Sequence, residues 1–246
     1  MEYEIWTQKP IFAPSLICLD LCNLEQQVQI LWDQGIRVLH VDILDGHFSP
    51  SMPLGLDTVR QLRKKTPMLF DVHLMATEQD FFIRELLDIG VQQITFHIEC
   101  ESHIDRQINT IKNAGVRAGV ALKPATPLEG LQYILGQCDT VLLMLVNPGY
   151  AGHSSEKQVP YARRKIENLR NMVRRENPEI LIELDGRISI QDIEMYALEL
   201  ADIFVVGSTC LTRDNLQGSL ESLGRGRDVI SMDIKNGKAK IDGVGQ

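Results

Sequence analysis

Residues 40–48 read HVDILDGHF, two histidines and two aspartates at the end of an apolar run that should be a buried strand. His40 and Asp42 are two apart, so on a strand their side chains share one face. His73 ends a second apolar run, FDVHLM, and Asp185 ends a third, IELDGR. Two imidazoles and two carboxylates carried by three strands could converge on one divalent cation. Such a mixed nitrogen and oxygen set suits Zn²⁺, Fe²⁺, Mn²⁺ or Co²⁺ better than Ca²⁺. One strand-end histidine alone reads as an ordinary satisfied core residue, but four ionisable groups at strand ends are less easily dismissed. His97 and Glu99, in TFHIEC, form another two-apart pair, and Asp71 shares the face of His73. These read as supports or structure rather than ligands. Asp45–Gly46 reads as a turn.

A second group is rich in glycine. VNPGYAGHSS, DGR and VVGSTCL each follow or end an apolar run. Small residues in adjoining loops let backbone N–H groups cradle a phosphate, although tight turns use the same residues.

Short apolar runs that could position these groups alternate with amphipathic stretches. The expected strands are Ile11–Leu16, Val38–Ile43, Met68–His73, Gln93–His97, Arg117–Leu122, Thr140–Leu145, Leu181–Leu184 and Ile203–Val206. They are rich in Val, Ile, Leu and Phe, as strands covered on both faces should be. The expected helices are Leu24–Gln34, Leu56–Lys64, Glu78–Ile89, His103–Asn113, Leu128–Leu135, Lys157–Arg175, Ile190–Leu198 and Asn215–Leu223. Gly35, Gly90 and Gly115 each follow a helical run, where a left-handed cap is wanted. Eight strands alternating with eight helices predict an α/β fold, one (β/α)₈ (TIM) barrel. A doubly wound open sheet competes, but no G-x-G-x-x-G follows the first strand. A barrel of this type places its chemistry at the C-terminal ends of the strands, where His40, Asp42, His73 and Asp185 fall, and its phosphate site in the last loops.

The 246 residues suit a single such domain. Residues 1–10 read as an extension, and 225–246 as a Gly-rich, charged tail. A net charge of −8 argues against nucleic acid and leaves any anionic ligand to local donors. No apolar run approaches the ~18 residues of a membrane span. MEYEIWTQKP does not resemble a secretory leader, so the cytoplasm is expected. Five cysteines without a C-x-x-C predict reduced thiols.

With these pieces in place the sequence resembles the ribulose-phosphate 3-epimerase family. APSLICLDL, LHVDILDGHFSP, FDVHLM, ITFHIE, GVALKPATPLE, LLMLVNPGYAGH, IELDG and FVVGS carry the likeness, in order, from about Ala13 to Leu211. The resemblance implies a barrel of the ribulose-phosphate-binding type, one divalent metal ion, a ketose phosphate as substrate and a homo-oligomer. It places His40, Asp42, His73 and Asp185 on the metal positions, and Asp42 and Asp185 on the two acid/base positions. Ser15, His73, Met75 and Met144 fall on substrate contacts. Gly149, Tyr150, Ala151, Gly152, Gly186, Arg187, Gly207 and Ser208 fall on the phosphate loops.

The departures from the family pattern cluster at those loops. Arg187 stands where a second glycine is usual. Ala151 and His153 replace a glycine and a glutamine, and a phenylalanine usual just after them is absent. Leu44 replaces a methionine and Leu145 a threonine. The expected activity is 3-epimerisation of ribulose 5-phosphate and xylulose 5-phosphate through a cis-enediolate. Alternatives are a longer substrate, allulose 6-phosphate, and a barrel that binds a sugar phosphate without turning it over.

Overall fold

In a computed structural model, which describes residues 2–149, 156–197 and 199–224, eight parallel strands form one sheet. They are β1 (Ile11–Pro14), β2 (Val38–Leu44), β3 (Leu69–Met75), β4 (Gln93–His97), β5 (Arg117–Leu122), β6 (Thr140–Met144), β7 (Leu181–Asp185) and β8 (Ile203–Val206). Their hydrogen-bonded order is β1-β8-β7-β6-β5-β4-β3-β2. One parallel bridge, Ser15 to His40, returns β1 to β2. The ring is thus nearly closed, as the alternation predicts, and an open doubly wound sheet is excluded.

The described α-helices are α1 (Glu2–Thr7), α2 (Leu24–Asp33), α3 (Leu56–Arg63), α4 (Gln79–Ile89), α5 (Ile104–Asn113), α6 (Ala162–Glu176) and α7 (Ile190–Tyr196), with α8 over residues 216–224. Among the described residues no helix is long and apolar enough to cross a membrane.

Strand alternation explains why β2 reads as an apolar run and still carries charge. Leu39, Val41 and Ile43 join the main core with Val28 and Leu31 of α2 and Val59 of α3. His40 and Asp42 point the other way, into the barrel. β3 repeats the pattern, with Phe70, Val72 and Leu74 in that core and Asp71 and His73 inside. The barrel interior is a polar column part-way up: Gln93 Nε2 donates to Asp71 Oδ1 at 2.7 Å, while Arg117 Nε (3.0 Å) and Thr140 Oγ1 (2.7 Å) donate to Gln93 Oε1. Satisfied in this way, buried polar groups hold a fixed geometry.

The three glycines at helix ends take φ of 81° (Gly35), 81° (Gly90) and 77° (Gly115), the left-handed caps expected. Two helical stretches differ from expectation. Leu128–Leu135 is not an α-helix but two 3₁₀ turns, Leu128–Leu131 and Leu135–Gln137. Gly130 and Gly136 raise the cost of a continuous helix in so short a segment. The helix expected from Lys157 begins at Ala162 because Pro160 biases Val159 toward extended backbone. Val159 N–H instead donates to Leu145 O at 2.9 Å.

The N-terminal extension, for which the sequence suggests no role, contributes residues that close the bottom of the barrel. Trp6, on α1, packs with Ile11, Ala13, Val38, Leu69, Leu181 and Ile203, and Arg117 lies 4.9 Å over its ring. Lys9 pairs with Asp202 at 3.0 Å. Trp6→Ala is expected to lower stability by about 3 kcal/mol, the lower end of the range for buried Trp truncation. Denaturant unfolding of wild type and variant checks this.

Candidate active site

At the opposite end, the C-terminal ends of β2, β3 and β7 bring His40, Asp42, His73 and Asp185 together. One donor atom from each lies within 4.8 Å of the others. His40 Nε2 is 3.4 Å from Asp42 Oδ1, and His73 Nδ1 is 3.4 Å from Asp42 Oδ1 and 3.5 Å from Asp185 Oδ2. Both histidines are wholly buried, yet His40 Nε2 and His73 Nδ1 make no hydrogen bond. Leaving two buried ring nitrogens unmatched is costly unless something else occupies the point they face.

The far side of each ring is firmly held. His40 Nδ1 meets Asp71 Oδ2 at 3.0 Å and Glu183 Oε1 at 3.1 Å. The Nδ1 contact to Asp71 leaves Nε2 as the nitrogen that faces the cluster. His73 Nε2 lies 3.0 Å from His97 Nε2, and His97 Nδ1 lies 2.8 Å from Glu99 Oε2. Because Glu99 accepts from His97, His97 Nε2 is placed to accept from His73 Nε2, and His73 Nδ1 is the nitrogen that faces the cluster. His97 and Glu99, which the sequence presents as supports or structure, thus stand behind His73 and outside the cluster itself. Glu183, which also faces His40, went unread, although its position two before Asp185 places it on the same strand face.

The charges follow from these contacts. Burial pushes the Asp42 carboxyl up, but the His40 and His73 imidazoles outweigh it and hold the group well below its ordinary range. Ser15 Oγ donates to Asp42 Oδ2 at 2.7 Å, further favouring the ionised form. Burial opposes charge on His73, yet Asp185 and Asp42 raise it to about 9. Burial likewise opposes charge on His40, and its three acidic neighbours raise it nonetheless. These imidazoles thus take up positive charge beside the carboxylates, which a cation would supply in their place. Burial and the Asp71 charge raise Glu183 to about 8, leaving it neutral at pH 7.

Above the cluster opens a pocket of about 560 Å³. Ser15, Asp42, Leu44, Met75, Met144, Gly149, Asp185, Gly186, Arg187, Gly207 and Ser208 line it, whereas His73 lies beneath, in the cluster. Tyr150, Ala151, Gly152 and His153 lie outside the described residues. Gly186 has φ 116°, and Arg187, with φ 51°, is the one non-glycine residue with positive φ among those described. Thr209 and Arg213 also line the pocket and were not foreseen. Arg213 donates from Nε to Cys18 O at 3.2 Å and from Nη2 to Ile17 O at 3.3 Å, tying the β8 loop to the β1 loop. The Asp45–Gly46 turn is as read: Asp45 Oδ1 accepts from His47 and Phe48 N–H at 2.8 and 2.7 Å. Asp45 Oδ2 takes Thr77 N–H at 2.7 Å, pinning the β2 loop to the β3 loop.

Comparison with known proteins bears on the family of the chain. A ribulose-phosphate 3-epimerase from Buchnera aphidicola is 34% identical over 218 residues, covering 87% of this chain and 93% of the relative. The enzyme of that name from Methanocaldococcus jannaschii is 33% identical, covering 85% of this chain and 87% of its own. Among solved structures, a 3-hexulose-6-phosphate synthase from Salmonella typhimurium superposes with a TM-score of 0.63 at 17% identity, over 92% of this chain and 99% of that one, a likeness of fold alone. The model of the "Ribulose-phosphate 3 epimerase family" matches residues 11–211. With its barrel, its strand-end cluster and these relatives taken together, the chain belongs to the ribulose-phosphate 3-epimerase family, and so to the isomerases that act on carbohydrates.

Proposed function

We propose that the protein is a metal-dependent 3-epimerase of a ketose phosphate, interconverting ribulose 5-phosphate and xylulose 5-phosphate. The observation that carries this reading is the convergence of Asp42 and Asp185, from β2 and β7, with two unmatched imidazole nitrogens. The donor set fits a divalent cation. Two nitrogens and two carboxylate oxygens suit Zn²⁺, Fe²⁺, Mn²⁺ or Co²⁺, and neighbouring donors sit 3.4 to 3.5 Å apart. Bonds of about 2.1 Å in a tetrahedral site imply an edge of roughly 3.4 Å. When bound there, the cation supplies the positive charge that acidifies the carbon next to the substrate's carbonyl.

The chain's own residues then move the proton. Whichever of Asp42 and Asp185 is ionised takes it from C3, giving a planar cis-enediolate. The other carboxyl, protonated, delivers to the opposite face, and the pair exchange states in each turnover. Ser15 orients Asp42 through its hydrogen bond. Met75 and Met144 line the pocket with groups that carry no exchangeable proton. Gly186, Gly207 and Ser208, with Arg187, are the phosphate-binding candidates. A longer substrate, allulose 6-phosphate, is favoured by one observation: the pocket carries an arginine where the family pattern has glycine.

Metal analysis of the purified protein, followed by epimerase assays on both sugars with and without chelation, tests the proposal. Turnover that survives complete metal removal sinks the metal-dependent reading. Faster turnover of the hexulose phosphate reassigns the substrate. No exchange of the C3 proton with any ketose phosphate would leave only a binding role.

Arg187→Gly separates two effects. The left-handed backbone costs a non-glycine residue about 1 kcal/mol, so the variant should be more stable. Loss of a charge-assisted contact worth about 1.5–3 kcal/mol should raise KM by about ten-fold or more. A more stable variant with unchanged or improved KM would make Arg187 a bystander.

A further inference from the structure

The four groups of the cluster do not account for the chain of contacts behind His73. Lys123 N–H donates to Glu99 Oε1 at 2.6 Å, and the Thr126 hydroxyl donates to the same oxygen. Glu99 Oε2 meets His97 Nδ1 at 2.8 Å, and His97 Nε2 meets His73 Nε2 at 3.0 Å. His97 is wholly buried, with Phe48 at 4.7 Å and His73 at 5.1 Å between ring centroids. Gln79 Nε2 holds its backbone carbonyl at 2.9 Å. No solvent reaches the His97 ring to reassign its protons.

We infer that Glu99 and His97 are positioning residues that dictate which nitrogen of His73 is left to hold a cation. This inference rests on the metal-centre reading above. The logic is one of fixed donors and acceptors. A backbone N–H can only donate and a carboxylate can only accept. Lys123 N–H therefore faces one oxygen of Glu99, and the other oxygen draws the His97 proton to Nδ1. His97 Nε2 is then an acceptor, His73 must donate from Nε2, and Nδ1 of His73 presents its lone pair to Asp42 and Asp185. A peptide N–H in the β5 loop, three contacts away, sets the polarity of a ligand in β3. Orientation of a metal-binding imidazole through its second nitrogen is a general device. Here the relay passes through a second imidazole, so it has two polarities, and only one suits a cation.

That two-way character gives an unusual prediction. In Glu99→Gln the Lys123 N–H still demands an oxygen, so the amide oxygen takes that place and the NH₂ faces His97 Nδ1. The proton of His97 moves to Nε2, His73 Nε2 becomes the acceptor, and the His73 proton is forced to Nδ1, into the cluster. Glu99→Ala removes the bias without reversing it. The near-isosteric variant should therefore be the worse of the two. Competition between the protein and a chromophoric chelator for Zn²⁺, with Co²⁺ absorption as a second probe, should show affinity falling about 10- to 100-fold in Glu99→Gln. The loss in Glu99→Ala should be smaller. In metal-free protein above pH 9, where His73 is neutral, ¹⁵N shifts should place the His97 proton on Nδ1 in wild type and on Nε2 in Glu99→Gln.

A carboxylate that merely holds the loop gives the opposite order, with alanine worse than glutamine. That order, or a wild-type His97 proton on Nε2, overturns the relay while leaving the metal centre standing. Wild-type protein that binds neither ion overturns the metal centre and the inference with it.

Discussion

Asp185→Asn is expected to slow epimerisation by about three orders of magnitude or more, about 4 kcal/mol of barrier. The amide can neither take the C3 proton nor return one, so one face of the planar intermediate loses its only partner. Asp42 remains, still hydrogen-bonded to Ser15. The expected signature is thus more specific than inactivity. One epimer should still exchange its C3 proton with solvent deuterium, because Asp42 can remove and restore it on the same face, while inversion is lost. Part of the effect will come through weaker metal binding, since Asp185 Oδ2 faces the same point as His73 Nδ1. Kinetics at saturating metal separate the two contributions. Near-native inversion in a variant shown to be loaded would remove Asp185 from the acid/base pair.

The second large effect needs no chemistry at all. Gly186→Ala is expected to destabilise the protein by about 4 kcal/mol, the sum of backbone strain and overpacking at about 1–3 kcal/mol each. Gly186 holds φ 116°, which side chains rarely adopt. A Cβ there would stand 2.8 Å from Val146 Cγ2 and 2.9 Å from Val146 N. The second of these is backbone and cannot swing aside. Relief requires β7 to part from the β6 loop, which displaces Asp185 next door. Thermal unfolding should show the loss, and residual activity at low temperature should fall as well. A variant as stable as wild type would mean that the β6 and β7 ends yield more readily than their packing indicates.

Much of this was legible in the sequence because it depends on period. His40 and Asp42 are two apart in a strand, so their common face follows from alternation, and Gln93–His97 and Ile203–Val206 appear as read. The gathering of His73 and Asp185 with them follows once the ring closes. What escaped depends on contacts that period does not encode. EIWT carries one aromatic residue in a polar stretch, and only the open barrel bottom explains why Trp6 is buried. Leu128–Leu135 has helical spacing but too few residues between glycines to form more than turns. His97 and Glu99 were visible as a pair, yet the direction of their proton relay depends on a peptide N–H in another loop. Glu183 went unread, and the cylinder alone shows it standing behind His40, where burial and Asp71 raise its pKa.

The thin join between first and second strands has a bearing on how variants should be interpreted. Its single Ser15–His40 bridge is reinforced by the Ser15 hydroxyl on Asp42, which makes this aspartate a rivet of the cylinder as well as a reagent. Damage at Asp42 will register twice, as lost chemistry and as a loosened wall. Asp185, at the end of a strand that pairs with both β6 and β8 and opposite Met144 of β6, is the cleaner reporter of the proton transfer itself.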